Sequence, residues 1–339
     1  MWSAFRQVVE THQRFLLASH VNPDADGIGS EVALASFLHS LGKTTVIVNP
    51  SVMPTPYKFL DPKGEILVYD ERVERDILPA IEVAIIIDVG TLTRLTALGE
   101  ALQRRRPILA NIDHHLGNER FADVLILDED APASGVLIYD FIRFMGATPT
   151  VDQAQAMYTA VLRETGGVRF SNTTQRAFAV AEALVELGVQ PHLVYRQVYE
   201  RSSLDRMRLL GHVLTTLTAE GGGDVVWMKV TQEDLRTYEV GEEELDGFID
   251  TARHVDAAEV YVFFVEQGPA RTRISFRSRG LVDVNALAGV FGGGGHRNAS
   301  GATLLHDLTA AVPRVLNETV RHVAAATGPR PTDARRVAP

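Results

Sequence analysis

The sequence predicts an α/β protein. A parallel-sheet N-terminal domain flanked by helices is followed by a linker helix and a smaller α+β C-terminal domain. Three observations predict this. Short apolar runs alternate with helix-periodic segments through the first part of the chain, the arrangement that builds a mostly parallel sheet covered on both faces. A triple glycine, Gly221-Gly222-Gly223, breaks the helical pattern, and a second group of strand-like runs follows it. At 339 residues the chain is also long for one core.

In chain order, Phe15-Leu16-Leu17-Ala18 is the first strand. Residues 27–41 form a helix, with Ile28, Val32, Leu34, Ala35 and Leu38 on its apolar face. Strands follow at 44–48, 66–69, 83–87, 108–112 and 124–127. The pattern then turns helical. One helix opens at Ser134-Gly135, a second covers 153–162, a third is capped by Thr173-Thr174 and runs to 187, and a long one spans 191–218. Beyond the glycines, strands are expected at 225–230, 260–265 and 273–277, with helices at 245–254 and 284–291. The expected domains are residues 1–190, a linker at 191–221, and residues 222–327. The Pro-, Arg- and Ala-rich tail at 328–339 is expected to fray.

Composition narrows the function. An apolar fraction of 45% with 22% charged residues is ordinary for a globular protein. No apolar run reaches the ~18 residues of a spanning helix, and polar residues interrupt the N-terminus, so a cytoplasmic location is expected. With no cysteine, the strong metal ligands are His, Asp and Glu. A net charge of −10 argues against a protein that coats long nucleic acids, which needs a basic track. It allows a small phosphorylated substrate. The basic run Arg104-Arg105-Arg106 reads as a surface patch.

Acids and histidines follow three of the predicted strands. His20-Val21-Asn22-Pro23-Asp24-Ala25-Asp26 follows the first, Asp88 ends Val83-Ala84-Ile85-Ile86-Ile87, and Asp113-His114-His115 follows Ile108-Leu109-Ala110-Asn111-Ile112. Ligands of open α/β sheets bind beyond the carboxyl ends of the strands, so these groups are placed to converge. Each alone has a plainer explanation as a turn, helix cap or solvated loop. Together they fit a pair of divalent cations, with imidazole and carboxylate favouring Mn, Fe, Zn or Co over calcium. A two-metal site needs a carboxylate that can lie between ions ~3.5–4 Å apart. Asp88, ending the most apolar strand, is the candidate.

This pattern resembles the DHH phosphoesterase superfamily, named for a motif matched here by Asp113-His114-His115. The resemblance extends over nearly the whole chain, through His20-x-x-x-Asp24-x-Asp26, Asp88, the Thr165-Gly166 region and the C-terminal glycines. It implies two divalent ions, most often manganese. His20, Asp24 and Asp88 would hold one, and Asp26, Asp88, His114 and Glu164 the other. His115 would sit beside the substrate phosphate, with Asp113 orienting the site. Where the family usually has Asp-Thr-Gly, this chain has Glu164-Thr165-Gly166. The longer acid either reaches the ion with altered geometry or is a helix-end acid beside a weakened second site. Arg163 and Arg169 are nearby candidates for phosphate contact or surface ion pairs.

Phe291-Gly292-Gly293-Gly294-Gly295-His296 is the second strong signal. Consecutive glycines let backbone N–H groups approach an anion, and His296 can donate to a phosphate oxygen. Asn298-Ala299-Ser300-Gly301 is expected to form a tightly packed turn. Ser275-Phe276-Arg277-Ser278 resembles a segment of the DHH-associated substrate domain, first type. Arg277 and Ser278, with Gly293, Gly294, Gly295 and His296, are therefore expected at the substrate, and a strand-end salt bridge is the plainer role for Arg277. The resemblance places the substrate in the cleft between the domains and implies a homodimer. Its oligoribonuclease and pAp-phosphatase branch fits this two-domain layout. The expected activity is Mn-dependent hydrolysis of very short RNA or DNA oligonucleotides, linear dinucleotides such as pGpG and pApA included, to mononucleotides, together with pAp dephosphorylation. Asp88, Asp113 and His115 would carry the catalysis. A non-catalytic nucleotide sensor with a spoiled second metal site is the alternative.

Overall fold

The computed structural model describes residues 1–327, so the expected fraying of the 328–339 tail lies outside the described residues. The described residues form two compact units, Met1–Arg201 and a second that begins at Ser202.

In the first unit, α1 (Ser3–Thr11) leads into β1 (Arg14–Ala18), α2 (Ala25–Ser40), β2 (Thr44–Asn49), β3 (Leu67–Val68), β4 (Val83–Ile87), α3 (Thr96–Arg105), β5 (Ile108–Asp113) and β6 (Val124–Leu127). Four helices complete it: α4 (Ser134–Phe144), α5 (Val151–Glu164), α6 (Gln175–Glu186) and α7 (Pro191–Tyr199). The six strands make one parallel sheet in the order β3-β2-β1-β4-β5-β6. Strand order reverses between β1 and β4, the switch point at which ligands of such sheets bind. Alternate β1 residues face opposite cores: Phe15 and Leu17 pack in one cluster, Leu16 and Ala18 in the other. All five β4 residues are buried, as the apolar run Val83–Ile87 requires of a central parallel strand.

The helices are placed by identifiable contacts. Asp24 caps α2 by accepting from the N–H groups of Asp26 (2.9 Å) and Gly27 (3.2 Å). Thr150 and Gln153 form a capping box at the start of α5. A Cβ on Gly29 would lie 2.4 Å from the Ala156 carbonyl oxygen, so α2 and α5 meet where only glycine fits. That contact fixes α5, whose last residue is Glu164.

In the second unit, α8 (Leu204–Leu214), β7 (Thr218–Glu220), β8 (Val225–Val230), α9 (Gln232–Thr237), α10 (Phe248–Ala252), β9 (Val260–Gly268), β10 (Arg271–Ser278), α11 (Val284–Gly289), β11 (Gly294–His296), β12 (Ala299–Leu304) and α12 (Leu308–Thr327) follow in order. They build a mixed sheet, β11-β12-β10-β9-β8-β7, in which β8 and β9 are parallel and the other neighbours antiparallel. Separate apolar clusters cover it: Ile274 and Phe276 join one, and Tyr261 and Phe263 the other. No single helix among the described residues is long and apolar enough to cross a membrane.

Three expectations are corrected. The long helix over 191–218 is two helices. α7 ends at Tyr199, and Ser203 restarts the chain as the cap of α8, its Oγ accepting from the Arg206 N–H at 3.0 Å. The helix over 245–254 is a 3-10 turn, Glu242–Leu245, followed by the short α10. Gly247, with φ of 81°, separates the two. Residues 299–301 are not a turn but the start of β12, paired with β11 through a two-residue connection, Arg297-Asn298.

Gly29→Ala tests the α2–α5 contact. Helix propensity alone would favour alanine by about 1 kcal/mol. The clash with Ala156 should reverse the sign and leave a net loss of about 1–3 kcal/mol, read as a lower urea midpoint. An unchanged or higher midpoint would contradict the close approach.

Candidate metal centre

The strand ends of β1, β4 and β5, neighbours in the sheet, carry the centre. His20 lies two residues past β1, Asp88 directly follows β4, and Asp113 ends β5 ahead of His114 and His115. Asp88 is buried with φ of 62°, in the left-handed region. An aspartate tolerates that conformation at a cost of about 1 kcal/mol, and its N–H is held by the Ile112 carbonyl at 3.0 Å.

Two groups of potential ligands converge on Asp88. His20, Asp24 and Asp88 form one, and Asp88, His114 and His115 the other; within each, ligand atoms lie within 4.8 Å of one another. The aspartate common to both is the one expected to lie between two ions. His20 Nε2 is 3.6 Å from Asp88 Oδ2, and His114 Nε2 is 3.3 Å from Asp88 Oδ1 and 3.5 Å from Asp26 Oδ2. Asp26 is fully buried at the start of α2. Its two oxygens accept from the Ser134 N–H (2.7 Å) and the Gly135 N–H (2.9 Å), so it also anchors the first turn of α4.

The histidine tautomers follow from their partners. His20 Nδ1 contacts the Val21 carbonyl at 2.9 Å and His114 Nδ1 the Ala131 carbonyl at 3.0 Å. Carbonyls only accept, so Nδ1 carries a proton, and in the neutral ring Nε2 is the lone-pair nitrogen. Among the described residues His114 Nε2 is buried without a hydrogen-bond partner while facing two carboxylates. In the neutral ring this aims a lone pair at anionic oxygens, an unfavourable pairing that a proton or a metal cation between them makes favourable. The donor set therefore fits divalent metal.

Electrostatics point the same way. Burial, with repulsion from Asp88, pushes the Asp26 carboxyl up to about 7. Burial and the charges of Asp24 and Asp26 raise Glu164 well above the usual carboxylate range. Burial would likewise raise Asp88, but the His114 and His20 imidazoles beside it hold it well below that range. Burial would lower His20 and His114, and the Asp88 interaction outweighs it and raises both. Glu164 is thus in electrostatic reach of Asp24, Asp26, His114 and Asp88, although it stands outside the two tight ligand groups.

Asp113 plays a different part. Its Oδ1 accepts from His115 Nδ1 at 2.7 Å, which directs Nε2 of that ring elsewhere. Its Oδ2 accepts from Asn118 Nδ2 at 2.5 Å; Asn118 also donates to Asn111 Oδ1 (2.8 Å), and Asn111 donates to the Ile86 carbonyl at 3.0 Å. Asn111 and Asn118 were not anticipated from sequence. The available signal for Asn111 was a polar residue inside the apolar run 108–112. Arg163 Nε donates to the Tyr57 hydroxyl (3.2 Å) and Arg169 Nε to the Gly166 carbonyl (2.7 Å), so both brace the fold around Glu164.

The second-unit candidates lie on or beside its sheet. Arg277 pairs with Ala299, and Ala299 with His296, in one cross-strand row. Residues in such a row project to the same face, which places Arg277 and His296 together with a small residue between. Arg277 Nε also meets Asp250 Oδ1 at 3.3 Å, realising the salt bridge. Two expectations are corrected. Ser278 is buried, donating to Glu259 Oε1 and accepting from the Gly280 N–H (both 2.9 Å), so its hydroxyl serves the fold rather than a substrate. The glycines do not form an open anion cradle. The N–H of Gly293 goes to the Ala288 carbonyl and that of Gly295 to Asn285 Oδ1 (both 2.9 Å). They are glycines because β12 is close: a Cβ on Gly293 would lie 2.1 Å from the Gly301 oxygen, and one on Gly295 2.7 Å from the Ala299 oxygen.

Raised Asp26, Glu31, His20 and His114 give metal-free protein a definite pH dependence. Glu31, buried behind the centre, is pushed by burial up to about 8. The two acids have folded values above their unfolded ones, so ionising them costs stability as pH rises toward those values. The two histidines stabilise the fold when protonated, and that contribution is lost as pH climbs through their raised values. All four act in one direction. Chelator-treated protein should melt at a lower temperature at about pH 8.5 than at about pH 6, and added divalent metal should narrow or reverse the gap because ligands shed protons to bind it. A metal-free Tm that rises over this interval would refute the charge arrangement.

The chain is similar to known proteins along most of its length. The DHH family, N-terminal domain, matches residues 14–161, and the DHHA1 domain matches residues 228–325. The bifunctional oligoribonuclease and PAP phosphatase NrnA of Thermus thermophilus is 32% identical over 327 residues, 94% of each chain. The protein of the same name from Bacillus subtilis is 26% identical, over 88% of this chain and 91% of its own. A solved structure of an exopolyphosphatase-related protein from Bacteroides fragilis superposes with a TM-score of 0.88 at 26% identity, covering 94% of each chain. RecJ of Thermus thermophilus in complex with Mn2+ shares the fold at a TM-score of 0.56 and 15% identity, over 97% of this chain and 54% of its own. With strand-end ligands meeting at the switch point and both family domains matched, the chain belongs to the DHH family and is a hydrolase with DHH and DHHA1 domains.

Proposed function

We propose that the protein is a Mn-dependent phosphodiesterase that releases mononucleotides from very short oligonucleotides, linear dinucleotides included, and also dephosphorylates pAp. The observation that carries this reading is Asp88, shared by two groups of metal-ligating side chains at the switch point of the sheet. The printed activities of the relatives, oligoribonuclease and PAP phosphatase, support the substrate class.

His20, Asp24 and Asp88 would hold one ion, and Asp26, Asp88, His114 and Glu164 the other. Two divalent cations, when bound, supply Lewis acidity toward phosphoryl oxygens and make water nucleophilic at neutral pH. The protein's own groups do the rest. Asp88 keeps the two ligand groups together, and Asp26 ties them to α4. Asp113 holds the proton on His115 Nδ1, so His115 Nε2 addresses the phosphate or protonates the leaving oxygen. Arg277 and His296, on one face of the second sheet, are assigned to the nucleotide, with Gly294 beside them. A homodimer and a cytoplasmic location belong to the same proposal.

Arg94 adds a cation on the first unit. Its carbonyl accepts from the Val21 N–H at 2.9 Å, and its positive charge acts to lower the His20 pKa, so it stands beside the centre. A guanidinium there matches a phosphate dianion. Arg94→Ala leaves the backbone bond in place. It should lower kcat/KM about 10²-fold, the worth of a charged hydrogen bond of about 1.5–3 kcal/mol, with metal affinity unchanged or tighter. A parallel loss of metal would instead mean that the side chain supports the fold.

The central experiment is hydrolysis of a 5′-labelled series from dinucleotide to long single strand, with and without Mn²⁺. Metal-dependent mononucleotide release confined to the shortest members is expected. Binding of the dinucleotide without turnover would overturn the enzymatic reading in favour of a sensor. Asp88→Asn should abolish turnover and remove both ions, measured as metal content; near-normal activity would refute its shared role. Glu164→Asp should retain activity if the acid at 164 is a ligand, and Glu164→Ala should lose one ion.

A further inference from the structure

Behind His20 lies a buried polar chain that the reading above does not use. The Ser19 N–H donates to Asn49 Oδ1 at 2.8 Å, and Asn49 Nδ2 donates to Glu31 Oε2 at 2.9 Å. Asn49 is 1% exposed at the end of β2, and Glu31 is fully buried on α2. Two further bonds hold the same loop: the Val21 N–H donates to the Arg94 carbonyl (2.9 Å) and the Asn22 N–H to Ser51 Oγ (2.7 Å). The backbone on both sides of His20 is thus pinned from β2 and from the turn after Asp88. Asn22, with φ of 55°, bends it sharply away.

Glu31 is the odd member. It follows Asp24 by seven residues, two turns along the same face of α2, on a helix whose other buried positions are mainly apolar or small. An apolar side chain there would avoid a large desolvation cost. Among the described residues Glu31 Oε1 has no hydrogen-bond partner, and Oε2 is bonded to Asn49. An amide can point either way, and Glu31 decides which: with Nδ2 committed to the carboxyl group, Oδ1 must face the Ser19 N–H. The orientation passes through one peptide to His20. There Nδ1 is already locked onto the Val21 carbonyl, so Nε2 is delivered 3.6 Å from Asp88 Oδ2.

We propose that Glu31 and Asn49 are positioning residues for the metal centre: they fix the aim of the His20 imidazole and so set the affinity of the His20–Asp24–Asp88 site, and not that of its neighbour. This rests on the two-cation reading. Partners that orient a metal-bound histidine from behind are worth about 10–100-fold in affinity.

The test is calorimetric titration of chelator-treated full-length protein with Mn²⁺, alongside circular dichroism. Wild type should take up two ions. Asn49→Ala should weaken one of them about 10-fold or more and leave the other unchanged. Titrated above the raised Glu31 value of about 8, Asn49→Asp keeps an acceptor for the Ser19 N–H but sets a second carboxylate against an ionised Glu31, and should also weaken one site. The double variant Glu31→Gln/Asn49→Asp rebuilds the chain with reversed polarity: the new amide donates to the new carboxylate, which still accepts from Ser19. It should recover affinity to within a few-fold of wild type. Wild-type affinity at both sites in folded Asn49→Ala overturns the inference, as does equal weakening of both, which would mean general loosening. If Asn49→Ala does not fold, failure of the double variant to improve on Asn49→Asp overturns it. Uptake of fewer than two ions by wild type overturns the two-cation reading itself, and this inference with it.

Discussion

Like charges gathered at one end of a parallel sheet impose the constraint on which the first unit depends. Asp24, Asp26, Asp88 and Glu164 share a small volume with His20 and His114, mostly out of water. Carboxylates so placed repel one another and resist ionisation, as the raised Asp26 and Glu164 record. Protons relieve the repulsion at the expense of the lone pairs a metal needs; divalent cations relieve it and use them. Histidine Nδ1 atoms spent on backbone carbonyls, and a His114 Nε2 without a hydrogen-bond partner among the described residues, fit the second solution.

Topology turns that chemistry into architecture. His20 and Asp88 can face one another because β1 and β4 are adjacent, and they are adjacent because the strand order reverses there. The connections after β1 and β4 therefore diverge and leave the strand ends open. Asp113 arrives from β5, one strand further on, and bonds His115. The helices then close the centre through tight contacts, Gly29 against Ala156 and Gly135 against Ala160, where a Cβ would collide. The glycines of the second unit obey the same steric logic: β11 lies against β12 at a distance that a side chain would prevent.

What the sequence made legible follows from this. Apolar runs ending in acids or histidines survive translation into structure, because a buried parallel strand must be apolar and its end is where a polar side chain can emerge. The placement of His20, Asp88, His114 and His115 at strand ends was readable for that reason, whereas Glu164, which ends helix α5, was named only through the family resemblance. Asn49, Asn111, Asn118 and Glu31 were not readable, because an amide's role lies in which partner each of its ends meets, and those partners come from other strands. The helix break at 200–203 was visible only as Ser203, one weak capping signal against a longer apolar periodicity. The glycine run was read for its exposed N–H groups, whereas the space in front of its missing side chains decides its use.

Glu164 shows how a local departure is absorbed. It ends α5, and the chain reverses at once through Gly166, Gly167 and Val168, all with φ between 60° and 70°. Valine in that conformation is strained, so something must hold it. Thr165 Oγ1 accepts from the Val168 N–H at 3.2 Å, and Asn172 Nδ2 bonds both the Glu164 carbonyl (3.1 Å) and the Pro132 carbonyl (3.2 Å). The backbone of Glu164 is thereby tied to the loop that leads into α4, the helix whose first N–H groups grip Asp26. A side chain one methylene longer than aspartate sets its carboxyl group further from this fixed point. Its charge still reaches Asp24, Asp26, Asp88 and His114. The backbone that aims this longer acid is held from two sides.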